Sequence, residues 1–198
     1  RGEGIFVEFL EEKLRTWQTT EIEKRAERIN RAYRQEWVAR HPGEEPPRQI
    51  TARFLLVHTF SHLLMRHLAL ECGYSSASLR ERLYVREGDA AMAGLLVYTA
   101  ASDSDGTLGG LQRQAQPERI SLSIPAALRA VEWCSSDPIC AAGVMGSADG
   151  FLLAACHACV LSPETACEEF NRFLDRGMIV GTLADPHSGY FHGLLGSI

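Results

Sequence analysis

An α/β or α+β domain, in which several helices pack a small central sheet, is the fold class predicted by this 198-residue chain. Three observations predict it. The most hydrophobic helical run of the chain spans Thr51 to Cys72, two short β-branched and aromatic runs lie at 4–9 and 94–99, and five of the six cysteines fall between Cys134 and Cys167. With 45% hydrophobic residues the chain can bury one sizeable core, near the upper size range for one compact domain. The expected division is an N-terminal strand and helical extension with a Pro-rich connector over 1–49, followed by the main domain over 50–198.

Gly-Ile-Phe-Val-Glu-Phe at 4–9 alternates loosely and reads as a short strand. The pattern turns helical from Glu11. A longer helix opens at Thr19-Thr20, where Thr can cap and Glu21 and Glu23 suit the positive end of the dipole. Its apolar stripe is Ile22, Ala26, Ile29, Tyr33 and Trp37. The opposite face mixes Lys24, Arg28, Arg31 and Arg34 with Glu21, Glu27 and Glu36, which fits a solvated face with i,i+4 pairs or a phosphate-contacting strip. His41-Pro42-Gly43 ends that helix, and the Pro46-Pro47 segment is an extended connector.

The Thr51–Cys72 helix is apolar around nearly its whole circumference, so it is expected at the centre of the fold, with Gly73 as its stop. A short helical turn is expected at Leu79–Leu83. Gly94–Thr99 reads as a buried strand running into the acidic, glycine-rich loop AASDSDGTLGGL. A further helix is expected to open at Ser123-Ile124-Pro125 and to carry Cys134 at its end. Ser162-Pro163-Glu164 is expected to start a helix aligning Cys167, Phe170 and Leu174, and Met178–Leu183 to form a closing strand.

A formal charge of -5, with basic residues interspersed among acids, does not favour a broad nucleic-acid surface. The chain opens Arg-Gly-Glu-Gly without an initiator Met, as expected of a piece of a longer protein. No signal-peptide pattern and no apolar run of membrane-spanning length are visible, and cytoplasmic residence is the expectation. In a reducing compartment clustered thiols favour metal over disulfides. Cys156 and Cys159 form a C-x2-C knuckle in CHAC, the spacing at which two thiolates reach one metal, and Cys134 and Cys140 form a looser C-x5-C pair upstream. Together they form a zinc signature. Cys167 fits either a core position or a ligand projecting toward the knuckle.

His58 and His62 form an H-x3-H pair, the ligand half of a zincin site, but Thr59 stands where the catalytic Glu would be. They fit two buried histidines bonded to neighbouring backbone, or a second metal or polar ligand site. Asp103 and Asp105 follow the 94–99 strand and fit a tight turn or a divalent-cation site. The loop is neither a Walker A nor a G-x-G-x-x-G motif.

HTFSHLL, LVYTAASDSDGTLGGL, WCSSDPIC, CHAC and NRFLDR, in that order, resemble the C-terminal zinc-binding domain of MrfA-type DNA-repair helicases and of the DrmB family of the bacterial anti-phage DISARM system, more closely the latter. The resemblance covers roughly 50–180. It implies a structural zinc ion, with Cys156 and Cys159 matching the knuckle, Cys134 and Cys140 the upstream pair, and Cys167 in reserve. It also implies an accessory, non-catalytic domain beside a helicase-like partner of the DrmA type or the motor domains of the same chain, with DNA reached through that complex and no membrane. Motor motifs are absent from this stretch. The alternatives are a metal-dependent hydrolase or nuclease using His58, His62, Asp103 and Asp105, and a direct DNA binder using Arg25, Arg28, Arg31 and Arg34.

Overall fold

A computed structural model describes residues 2–100, 110–143 and 150–195. In chain order its elements are β1 (Gly4–Glu8), α1 (Glu11–Trp17), α2 (Thr20–Arg40), α3 (Ala52–Cys72), β2 (Leu79–Arg86), β3 (Met92–Thr99), α4 (Gly110–Gln114), α5 (Pro117–Glu132), α6 (Gly177–Val180) and α7 (His192–Leu195). The three strands form one antiparallel sheet in the order β1-β3-β2. The fold is therefore α+β, since an α/β sheet needs parallel strands joined by helical crossovers.

Helix α3 is the centre of the molecule. Sixteen of its residues are buried, including His58 and His62. Thr51 Oγ1 accepts the Phe54 N–H at 3.3 Å to cap its start, and Gly73 at φ 70° closes its end in the left-handed conformation open to glycine. One face of the sheet packs on this helix through Ile5, Leu79, Leu95 and Val97, all buried. Helix α2 buries Ile22, Ala26, Ile29 and Tyr33 as the stripe requires, and Thr19 Oγ1 caps it through the Ile22 N–H. Residues from 1–49 and from 50–195 contribute to one continuous core. Ion pairs also join them, two of them bidentate. Arg53 is bidentate to Glu11 at 2.7 and 2.9 Å, and Arg25 is bidentate to the buried Asp175 at 2.6 and 2.8 Å.

Four local expectations are corrected. Residues 79–83 are not a helical turn but part of β2, paired along its whole length with β3. The reason is a period of two: Leu79, Glu81 and Leu83 fall on the core face and Arg80 and Arg82 on the other. Helix α5 starts at Pro117 rather than at Ser123, so Pro117 takes the first-turn position and Pro125 lies inside the helix. No helix runs from Ser162 through Leu174. A single tight turn at Glu164–Ala166 gives way to irregular chain with Phe170, Asn171 and Phe173 at φ 52°, 61° and 60°. Local side-chain bonds compete with the helix there, because Asn171 Oδ1 accepts the Ser162 N–H at 3.0 Å while its Nδ2 donates to the Ser162 carbonyl at 2.6 Å. Finally, Met178–Leu183 is not a strand. The chain makes the short α6 and turns at Gly181 (φ 91°), where a Cβ would come within 2.3 Å of the Pro186 carbonyl oxygen.

Candidate metal centre

The cysteine centre is built from two turns and the ends of their neighbours. Helix α5 stops at Glu132, and the chain then folds over Cys134–Gly143 in successive turns that bring Cys140 back beside Cys134. The knuckle follows the buried run Phe151–Ala155, and the N–H groups of Cys159, Val160 and Leu161 all donate to the Cys156 carbonyl, wrapping the backbone tightly around the pair. Cys134, Cys140, Cys156 and Cys159 thereby present four buried sulfur atoms within 4.8 Å of one another. Measured separations are 3.5 Å for Cys134–Cys156, 3.7 Å for Cys140–Cys159 and 3.6 Å for Cys156–Cys159. None of the six cysteines is in a disulfide, and these distances far exceed the roughly 2.05 Å of an S–S bond. They do match the edge of a zinc–thiolate tetrahedron, about 3.8 Å for bonds of about 2.3 Å.

Polar groups outside the sulfurs orient them. Asp137 Oδ2 accepts the Cys134 N–H at 2.9 Å, and its Oδ1 accepts the Ala141 N–H at 3.0 Å and Arg176 Nη2 at 2.6 Å. Arg176 Nη1 also donates to the carbonyls of Val131 and Glu132, so the end of α5, the Cys134 turn and the segment before α6 share one guanidinium. Such supporting bonds fix ligand direction. Burial resists ionisation of the thiols. It pushes Cys159 up to about 12 and raises Cys140 as well, whereas at Cys156 hydrogen bonds from the Cys134 thiol and from the N–H groups of Ala158 and Cys159 outweigh it and bring the thiol down to about 7. Four thiolates cannot coexist here without a cation, and a divalent ion would deprotonate them outright.

Cys167 is not in this group. It lies against His58, with its sulfur 3.1 Å from His58 Nε2. His58 and His62 are fully buried, and their Nδ1 atoms meet the carbonyls of Phe173 and Val160 at 3.1 and 3.0 Å. Sequence reasoning missed Glu81, a buried carboxylate whose Oε1 is 3.1 Å from His58 Nε2 and 3.5 Å from His62 Nε2. The signal was present in the alternation of Leu79, Glu81 and Leu83, which sets an acid on an apolar face. Burial disfavours an imidazolium, but the Glu81 carboxylate and the Cys167 sulfur outweigh it and raise His58 to about 10, while Glu81 is held well below the usual carboxylate range.

Asp103 and Asp105 lie outside the described residues, so the four-residue hydrolase constellation is represented only by its histidines. Those have no exposed surface for a substrate to approach. Of the four arginines, Arg25 is turned inward to Asp175, Arg34 pairs with Glu45 at 3.1 Å, and Arg28 and Arg31 are exposed. Among the described residues no helix is long and apolar enough to cross a membrane.

A sequence model of the MrfA Zn-binding domain matches residues 60–160, a range that contains all four clustered cysteines. The chain is also similar to the DISARM protein DrmB of Bacillus paralicheniformis, with 37% identity over 196 residues that take in 98% of this chain and 34% of that relative. The chain thus spans about a third of the length of that relative.

Proposed function

The chain belongs to the MrfA zinc-binding domain family, and from that premise we propose that it is a non-catalytic, zinc-stapled accessory domain of a DISARM protein of the DrmB kind. The observation that carries the reading is the closed group of four buried sulfurs at tetrahedral separation. Cys134, Cys140, Cys156 and Cys159 would fill all four positions of a zinc ion, leaving none for water or substrate, so the metal's contribution is to folding. The 37% identity to a DISARM protein along almost the whole chain supports the same assignment.

In this reading the domain contacts a helicase-like partner of the DrmA type, or motor domains of its own chain, and meets DNA as part of that assembly. Of Arg25, Arg28, Arg31 and Arg34 on α2, the exposed Arg28 and Arg31 are open to such a contact. Elemental analysis with zinc-edge X-ray absorption tests the metal, with a four-sulfur zinc ion expected in the purified protein and that ion lost in Cys159→Ser; a folded protein devoid of zinc would overturn the assignment. Co-expression with the helicase-like protein of the same system tests the role. Stable co-purification is expected, and a protein that stays separate from the motor would refute it.

A further inference from the structure

Among the described residues a second group of donors gathers around two histidines of α3. His58 and His62 stand one turn apart on the same face of α3, Glu81 projects from the core face of β2, and Cys167 follows the turn at Glu164–Ala166. All four residues are buried, and one donor atom from each lies within 4.8 Å of the others.

Hydrogen bonding fixes which atoms face inward. The carbonyls of Phe173 and Val160 can only accept, so Nδ1 of each histidine carries the hydrogen and, in the neutral ring, Nε2 turns a lone pair toward Glu81 and Cys167. Cys167 Sγ accepts the N–H groups of Glu169 and Asn171, both at 3.3 Å, as a thiolate would, and Cys134 Sγ in the four-thiol group likewise accepts the N–H two residues on. Glu81 Oε1 accepts the Glu168 N–H at 3.3 Å. Yet His62 Nε2 and Glu81 Oε2 have no hydrogen-bond partner although both are buried, which costs free energy unless something else satisfies them.

We propose that His58, His62, Glu81 and Cys167 form a second, closed metal site, and that its ion is zinc. Two imidazole nitrogens, a carboxylate oxygen and a thiolate are ligands zinc accepts in tetrahedral geometry, with expected donor separations of roughly 3.4 Å. The observed 3.1, 3.1 and 3.5 Å bracket that value. The charges also balance, since one carboxylate and one thiolate neutralise a divalent cation and no net charge is left in the core. Protons alone do less well, because they leave His62 Nε2 unpartnered. The ion would join α3, β2 and the 161–176 segment. His58 would also hold both ends of the irregular stretch 167–173, through Cys167 on one ring nitrogen and Phe173 on the other.

The test uses the protein purified without chelator, by elemental analysis and zinc-edge X-ray absorption. Two zinc ions per chain are expected, with five sulfur and three nitrogen or oxygen donors shared between them. One ion bound by four sulfurs would overturn the proposal. One ion with mixed donors would support it and count against the four-thiol assignment instead. In Glu81→Gln/His62→Ala the expected result is one ion with a four-sulfur shell, and retention of two ions would overturn the proposal. The wild-type spectrum decides the matter even if that variant does not fold.

Discussion

The four-thiol group hangs on turns, whereas the His-Glu-Cys group is set into the walls of the core. Cys134, Cys140, Cys156 and Cys159 lie in connections with no helix or strand of their own, and cross-links between these turns run through the sulfurs, Asp137 and Arg176. His58, His62 and Glu81 sit on α3 and β2, whose apolar residues belong to the main hydrophobic core. The difference teaches that a metal matters most where least else holds the chain. Ablating the first group should unmake local structure, and ablating the second should weaken a structure that persists.

The largest effect is expected from Cys159→Ser. It should remove a zinc contribution on the order of 10 kcal/mol of apparent binding energy, so that amide hydrogen exchange over 134–180 becomes fast. Protection that survives there would break the comparison. Next in size is Glu81→Gln, which takes the carboxylate charge out of the buried group with His58, His62 and Cys167 and should cost about 3–5 kcal/mol in denaturant unfolding while far-UV circular dichroism stays native. An unchanged midpoint would show that the core does not depend on this cluster at all. Asp137→Asn keeps every sulfur but loses the ion pair to Arg176, and chelator competition should show zinc affinity lower by about 10–100-fold.

The smallest effect lies outside both groups. Hydrogen bonds from Arg53 hold the Glu11 carboxyl below its ordinary value of 4.5. Because the folded value is the lower one, this pair's stabilisation is complete above about pH 4.5 and is lost as the pH falls through the depressed value. Glu11 is partly exposed, so about 1 kcal/mol or less is at stake. Glu11→Gln should flatten the acid limb of the stability curve by that amount and leave zinc content unchanged, which separates charge titration from metal loss.

Much of the framework was legible in residues alone. The α3 run declared its own burial because apolar residues cover nearly its whole circumference, and the stripe on α2 named the side chains that now pack there. Reading failed where tertiary or local side-chain bonds decide. Nothing in Ser162-Pro163-Glu164 announces that Asn171 will reach back to Ser162 and that the Cys167 sulfur will collect two backbone N–H groups, which together replace a helix with left-handed turns.

The sequence by itself singled out Cys134, Cys140, Cys156 and Cys159 as candidates, with Cys167 still open beside them. The four are close along the chain, so closing the loops between them is cheap and the knuckle's geometry is set by adjacent residues. Only the tertiary structure decided where Cys167 goes and what His58 and His62 face. Their partner Glu81 reaches them through the pairing of β2 with β3, and a slip of one residue would turn that carboxylate to the opposite face of the sheet. Register is fixed by the core as a whole, which is why no spacing within the sequence could declare the second group.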